Sequence, residues 1–301
     1  MNSVKRIGFV GLGLMGTGMA KNIRAKGFPL TVLAHRNRKP VDDLISRGAK
    51  EAATAADLAR ECDVVILCVT GSPQVDDVLN RPGGLLEGMH PGLVVVDSST
   101  GDPDFAVRAE AAVRARGGMY VDAPVNRTPK EAEEGRLNVL IGGDAAVVDD
   151  LRPVLESYSE TIHHLGPIGS GHKAKLIHNF IAQGNAVILA EAFSAAAKVG
   201  LDLRSFADLC RLSGAHSRTF DRLIPFVLEG DDSNQKFALR NAVKDMRSYT
   251  HLAEMAPATA FVAQAIHQTF VLATALGHGD KYIAHLFDVM GEINGTRVRA
   301  D

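Results

Sequence analysis

The chain has 301 residues, 46% of them hydrophobic and 23% charged, with a formal net charge of −2. Length and apolar content suit a globular protein of two domains, each with its own core. The near-neutral balance offers no basic excess to nucleic acid and no acidic tail to a basic partner, and no uninterrupted apolar run of about 18 residues suggests a membrane span.

The opening stretch, MNSVKRIGFVGLGLMG, sets basic residues before an apolar run. Glycines break that run and no small-residue cleavage site follows, so it reads as a strand entering a turn, not as a leader. RIGFVG is the strand, and MGTGMAKNIRAKG is a helix that Gly27 can cap. PLTVLA is a second strand, and KPVDDLISRG is a helix with Pro at its start and Gly at its end. CDVVILCV is apolar throughout, as a strand buried on both faces must be. SPQVDDVL opens a helix, GLVVVDSST is a strand, DPDFAVRAEAAVRARG a helix, and MYVDAPV and LNVLIGG two further strands. Repeated βα units of this kind predict an α/β fold with a doubly wound, mostly parallel sheet. The three cysteines, Cys62, Cys68 and Cys210, have no metal-ligand spacing and are expected to be thiols in a reducing, cytoplasmic setting; no metal site is expected.

The texture changes near residue 168. SGHKAKLIHNFIAQGNAVILAEAFSAAAKVG reads as one long helix, apolar on most sides, which Gly200 ends; Asp202 can cap the next. SFADLCRL, FDRLIPFVL, FALRNAVKDMRSYTHLAEMA and ATAFVAQAIHQTFVLATALG are helical by period, with no convincing strand. The expected division is therefore a doubly wound α/β domain over 1–168 and an all-helical domain over 169–301, joined by the long helix. Its apolar helices should bury much of their circumference, and a homodimer or homotetramer is the simplest expectation.

Gly11, Gly13 and Gly16 stand in G-x-G-x-x-G spacing. The pattern alone is weak, but here it follows the first strand and opens a helix in a series of βα units. Gly11 permits the tight turn, and Gly13 lets a pyrophosphate approach the backbone at a helix N-terminus. Gly11, Leu12, Gly13, Leu14, Met15 and Gly16 are thus the candidate phosphate loop of a Rossmann-type domain. An acidic residue at the end of the second strand would hold the 2′-hydroxyl of NAD. That place has Ala34, followed by His35, Arg36, Arg38 and Lys39, which favours the 2′-phosphate of NADP, with NAD the alternative. Val69 and Thr70, after the third predicted strand, are further cofactor candidates.

Together with three later segments, these residues resemble the β-hydroxyacid dehydrogenase family, which includes 3-hydroxyisobutyrate dehydrogenase. The segments are GFVGLGLMGTGMAKNI, DSSTGDP (Asp97 to Pro103), GSGHKAKLIHN with Gly169, Gly171, Lys175 and Asn179 at the family's spacing, and KDM (Lys244 to Met246). The resemblance spans essentially the whole length. It implies an oxidoreductase that passes hydride between a nicotinamide cofactor and a small anionic β-hydroxy acid or semialdehyde. It also implies Lys175 and Asn179 as catalytic residues, Gly171 at the substrate and Lys244 at the cofactor.

The residues support this unaided. Lys175 and Asn179 are i and i+4, on one face of the long helix. Interconverting a hydroxyl and a carbonyl needs a group to give and take the oxygen's proton, and an amine there also stabilises developing negative charge. His172 and His178 read as polar lining, not catalysts. Ser99 and Thr100 follow a strand, where such sheets place ligands, and can offer hydroxyls to the nicotinamide ribose or the substrate; the same residues can cap the helix that follows. An imine reductase would share the fold but usually lacks the lysine, and a 6-phosphogluconate dehydrogenase would need a longer helical half. A non-catalytic NADP-binding sensor or scaffold remains the rival from another class.

One departure stands out. Where the family has Ser-Gly-Gly to hold the substrate carboxylate, this chain has Asn126, Arg127 and Thr128, while Ala132, Gly135 and Leu137 keep the register. A guanidinium offers forked donors to a carboxylate or a larger oxyanion. An Arg-Thr pair here is similar to the 3-sulfolactaldehyde reductases, whose substrate carries a sulfonate.

Overall fold

The computed structural model describes residues 4–300. The chain divides into two compact units, Met1–Lys175 and Leu176–Asp301. The boundary falls inside the long helix, Ser170–Lys198, a few residues beyond the point where composition changes.

In the first unit, six strands form one parallel sheet: β1 (Ile7–Val10), β2 (Leu30–Leu33), β3 (Lys50–Ala52), β4 (Val64–Leu67), β5 (Val94–Asp97) and β6 (Met119–Asp122). Their order is β3-β2-β1-β4-β5-β6. Every residue of β1, β2, β4 and β5 is buried, which explains their unbroken apolar sequences. One core cluster, with Phe9, Met19, Ile23 and Val96, and a second, with Leu58, Val65, Val75 and Val113, fill this unit. The strand order reverses between β1 and β4, and folds of this kind bind ligands at the carboxyl ends beside that switch.

Three findings depart from the sequence reading. The edge strand β3, KEA, buries only Ala52 and carries no apolar run to announce it. The helices Ala55–Glu61 and Ala145–Leu155 were not anticipated either. The segment LNVLIGG does not extend the parallel sheet. It is β8 (Leu137–Ile141), which pairs antiparallel with β7 (Val125–Asn126) and parallel with β9 (Ser159–His164) in a separate three-stranded sheet. The chain turns out of β6 through Ala123 and Pro124; proline has no N–H to give a ladder.

The second unit is helical: the distal part of Ser170–Lys198, then Leu203–Arg211, Arg218–Glu229, Leu239–Met255, Phe261–Ala273 and Leu286–Asn294. Phe193 is fully buried at its centre, with ring centroids of Phe206, Phe220 and Phe287 at 5.0, 6.3 and 6.0 Å. Gly200, with φ 77°, ends the long helix, and the Asp202 carboxylate accepts from Ser205 N at 2.7 Å to start the next. By length and composition the long helix could cross a membrane, but half of its most apolar window is buried inside the fold.

Candidate active site

The glycine loop runs from β1 into the helix Gly16–Ala25. Gly11 has φ 100°, and a Cβ there would lie 2.2 Å from the Cys68 carbonyl oxygen. At Gly16 a Cβ would lie 2.1 Å from the Gly11 carbonyl oxygen and 2.9 Å from the Phe9 ring. Gly13 has nothing within 4 Å of the place of its Cβ. Gly11 makes the turn, Gly16 lets helix and strand close, and Gly13 keeps an open approach to the backbone. That pattern fits a pyrophosphate at the helix N-terminus. A fourth glycine, Gly18, brings this helix onto the short helix Pro129–Glu133: its Cβ would meet Ala132 C and Glu133 N, each at 2.6 Å.

Beyond β2, His35 and Arg36 are exposed, and Arg36 has no ion pair among the described residues. Arg38 is engaged differently. Its guanidinium lies 2.6 and 3.1 Å from the Glu51 carboxylate and 3.0 Å from Asp42, and those partners raise its pKa further. Of the basic residues expected to meet a 2′-phosphate, His35, Arg36 and Lys39 are exposed with no ion pair among the described residues, and Arg38 alone is engaged by acids.

At the carboxyl ends of β5 and β6 stand two acids in register, Asp97 and Asp122, each at the end of an apolar strand and each fully buried. Asp97 accepts from Ser99 N at 2.9 Å and from the Tyr120 hydroxyl at 2.8 Å, and its Oδ2 lies 3.4 Å from His172 Nε2. Burial alone would push the Asp97 carboxyl up, but the hydrogen bond and charge of His172 and the donors of Ser99 outweigh it, and the group is held below the usual range. Burial, then Asp97, pushes the Tyr120 phenol far up, so it remains a donor. Asp122 takes another part: its oxygens accept from Gly169 N and His172 N, both at 2.7 Å. It therefore caps the N-terminus of the long helix from the end of β6. Burial raises its pKa, only partly offset by His172 and these N–H donors. Gly171 has a steric reason, because a Cβ there would lie 2.5 Å from the Leu140 carbonyl oxygen and 2.6 Å from that of Asp122.

One turn into the capped helix is Lys175. Its Nζ donates to the Val125 carbonyl oxygen at 2.8 Å and to Asn126 Oδ1 at 2.6 Å. The Ser99 hydroxyl accepts from Val69 N at 3.1 Å, tying the loop after β5 to that after β4. Thr70 is exposed and Thr100 half-buried on those same two loops.

The Asn126–Thr128 loop is where the structure adds most to the sequence reading. Asn126 meets the lysine. Arg127 adopts φ 84°, the left-handed region, at a place where the family pattern has glycine. Its guanidinium pairs with Glu160 on β9 and donates to the Arg136 carbonyl at 2.7 Å. Thr128 and Glu131 form a capping box on the helix Pro129–Glu133, with Thr128 N donating to the Glu131 carboxylate at 3.0 Å. A substrate anion would have to compete with Glu160 for Arg127.

In the second unit, Asn179 Nδ2 donates to Asp245 Oδ2 at 2.7 Å, and Lys244 Nζ lies 3.0 Å from Asp245 Oδ1. Asp245 is buried, and it organises both residues singled out from the sequence. The sequence reading gave no part to Tyr120 or Asp122, and quoted Asp97 and Asp245 only within family segments. For Asp97 and Asp122 a further signal was present: adjacent apolar strands that each end on aspartate.

A parallel sheet in this order, with its open glycine loop at the carboxyl end of β1, defines a nicotinamide dinucleotide-binding α/β protein. Two family models agree: residues 6–166 match the NAD-binding domain of 6-phosphogluconate dehydrogenase, and residues 169–290 match the NAD-binding region of NADP-dependent 3-hydroxyisobutyrate dehydrogenase. The chain is 32% identical over 293 residues to the probable 3-hydroxyisobutyrate dehydrogenase-like 2, mitochondrial, of Arabidopsis thaliana, covering 97% of this chain and 96% of that one. A crystal structure of 3-hydroxyisobutyrate dehydrogenase from Salmonella typhimurium superposes with a TM-score of 0.85 at 28% identity, covering 94% of this chain and 99% of that one. The chain belongs to the β-hydroxyacid dehydrogenase family, a family of NAD(P)-dependent oxidoreductases. It is also 28% identical over 283 residues to the cytokine-like nuclear factor N-PAC of Homo sapiens, covering 94% of this chain but spanning only about half, 51%, of that protein's length.

Proposed function

We propose that the protein interconverts a small anionic β-hydroxy acid or semialdehyde with its oxidation partner, Lys175 acting as general acid and base. The observation that carries this reading is the seating of the Lys175 amine on Val125 O and Asn126 Oδ1, in the same unit as the glycine loop and beside the strand ends where such folds hold ligands. When bound, the nicotinamide supplies or accepts the hydride. In the reductive direction the Lys175 ammonium delivers a proton to the carbonyl oxygen as negative charge develops there; in the oxidative direction the neutral amine takes the proton from the hydroxyl. Asn179, held by Asp245, is the second polar group on that helix face. His35 and Arg36, uncommitted at the end of β2, support NADP over NAD. The Asn126–Arg127–Thr128 departure from Ser-Gly-Gly favours a substrate different from 3-hydroxyisobutyrate, and a sulfonate such as that of 3-sulfolactaldehyde is the second reading.

Turnover of short-chain semialdehydes and hydroxy acids, sulfonates included, followed with NADPH and NADH at the nicotinamide absorbance, tests the proposal. Lys175→Ala should lose about 10²–10⁴-fold in rate while keeping cofactor affinity. Comparable turnover in the variant removes the lysine from the chemistry. Cofactor binding with no turnover of any substrate by the parent favours the sensor or scaffold reading.

The free thiols and the apolar exposure of the helical unit, with Phe261 at 85% and Val262 at 60%, support a cytoplasmic homodimer or homotetramer. Light scattering of the purified chain decides the oligomeric state.

A further inference from the structure

We propose that Asn126 is a positioning residue for Lys175, holding its amine through the side-chain carbonyl instead of contacting substrate as the serine-containing family loop does. The inference rests on the reading of Lys175 as acid and base. Asn126 is 6% exposed, and its Oδ1 lies 2.6 Å from Lys175 Nζ. A lysine ammonium has donors and no acceptor, so the amide must turn its oxygen, not its nitrogen, toward it. A serine hydroxyl ends one bond nearer the backbone. Asparagine carries its acceptor further, and that acceptor has no proton of its own to orient.

The loop is built to keep Asn126 in place. On one side its backbone pairs with Asn138 across the β7–β8 ladder. On the other, Arg127 turns through the left-handed region and is drawn to Glu160 and the Arg136 carbonyl, and Thr128 closes the next helix with Glu131. The lysine's own end is set by the helix that Asp122 caps. Lys175 is thus fixed at its Cα by one strand end and at its Nζ by another. A lysine side chain has many rotamers to sample, and a displacement of about 1 Å at a reacting group can cost about a hundredfold in rate. A second anchor on the amine therefore acts on the chemical step and leaves substrate affinity alone.

The test compares Asn126→Leu, of similar shape without the acceptor, with Asn126→Asp, which keeps it, and with Asn126→Ser as a milder change. On whichever substrate the screen finds, Asn126→Leu should lower kcat roughly ten- to a hundredfold with KM and cofactor Kd within about threefold. Asn126→Asp should recover most of that loss. In a Lys175→Ala background, Asn126→Leu should cost nothing further. A readout independent of substrate is the amine resonance of Lys175 in ¹⁵N-lysine-labelled protein with NADPH bound, assigned by its absence in Lys175→Ala. It should shift in Asn126→Leu and in Asn126→Ser, and stay near its parent position in Asn126→Asp.

A raised KM at unchanged kcat returns Asn126 to the substrate and overturns the proposal, as does an unmoved amine resonance in Asn126→Leu. Equal losses in the Leu and Asp variants reduce the residue to a structural role. These failures leave Lys175 as the acid and base. If Lys175→Ala itself keeps its turnover, the underlying reading falls instead, and the positioning role falls with it.

Discussion

The carboxylate of Asp122, at the end of β6, accepts the backbone N–H of His172, fifty residues later, at 2.7 Å. With the Gly169 N–H on its other oxygen, it makes a helix cap out of a strand end. Asp122→Ala should cost about 1–2 kcal/mol of stability through loss of the cap. It should also lower kcat, because the freed first turn lies immediately before Lys175 on the same helix. Asp122→Asn, with one acceptor left, should fall between. Denaturant unfolding and kcat measured on both variants check this; an alanine variant as stable and active as the parent would show that the cap is dispensable.

Two glycines of one loop should behave oppositely. Gly16→Ala forces a methyl against the Gly11 carbonyl and the Phe9 ring, so the variant should unfold at a clearly lower temperature without any cofactor present. Gly13→Ala meets nothing in the protein and should leave the apo thermal midpoint nearly unchanged while weakening cofactor binding at least tenfold. Calorimetry with and without NADPH separates the two. Equal apo destabilisation by both would contradict the division of labour.

Arg36 and Arg38 lie two residues apart with different surroundings. Arg38 is tied to Glu51 and Asp42, whereas Arg36 is exposed without an ion pair among the described residues. Arg36→Ala should raise the Kd for NADPH roughly ten- to a hundredfold and leave NADH little changed, since only the former brings a 2′-phosphate. Arg38→Ala should shift both cofactors alike and slightly. A parent enzyme that prefers NADH, or an Arg36 variant that loses both cofactors equally, would reverse the assignment.

Arg127 is held by Glu160. If substrate anions reach this guanidinium, they displace Glu160. Glu160→Gln should then lower KM for anionic aldehydes, and Arg127→Ala should lower kcat/KM for them roughly ten- to a hundredfold with cofactor affinity unchanged. Should both variants match the parent on every anionic aldehyde tried, Arg127 serves only the small sheet.

Most of the first unit was legible because buried parallel strands must be apolar on both faces, and β1, β2, β4 and β5 are. The edge strand β3 was not, because only Ala52 of its three residues is buried. The glycine loop was readable from spacing in context, and the long helix that carries Lys175 from its apolar run. The contacts of Asn126, Arg127 and Thr128 were hidden, since they depend on β9 and on a helix cap that no local pattern encodes. Sequence logic assigned the whole loop to one ligand, while the structure gives its three side chains three different partners. The role of Asp122 was equally invisible, because it joins a strand end to a helix start some fifty residues away.

The passage between the two units is an unbroken helix, Ser170–Lys198, with Lys175 the last residue of the first and Leu176 the first of the second. A protease would find no slack connector there to nick. Splitting the gene at that point would leave each half with a ragged turn: unmet carbonyls behind Lys175 and unmet amides ahead of Leu176. Two separately produced halves should therefore each lose stability at the cut end of this helix, and a cut placed after Lys198 would spare it.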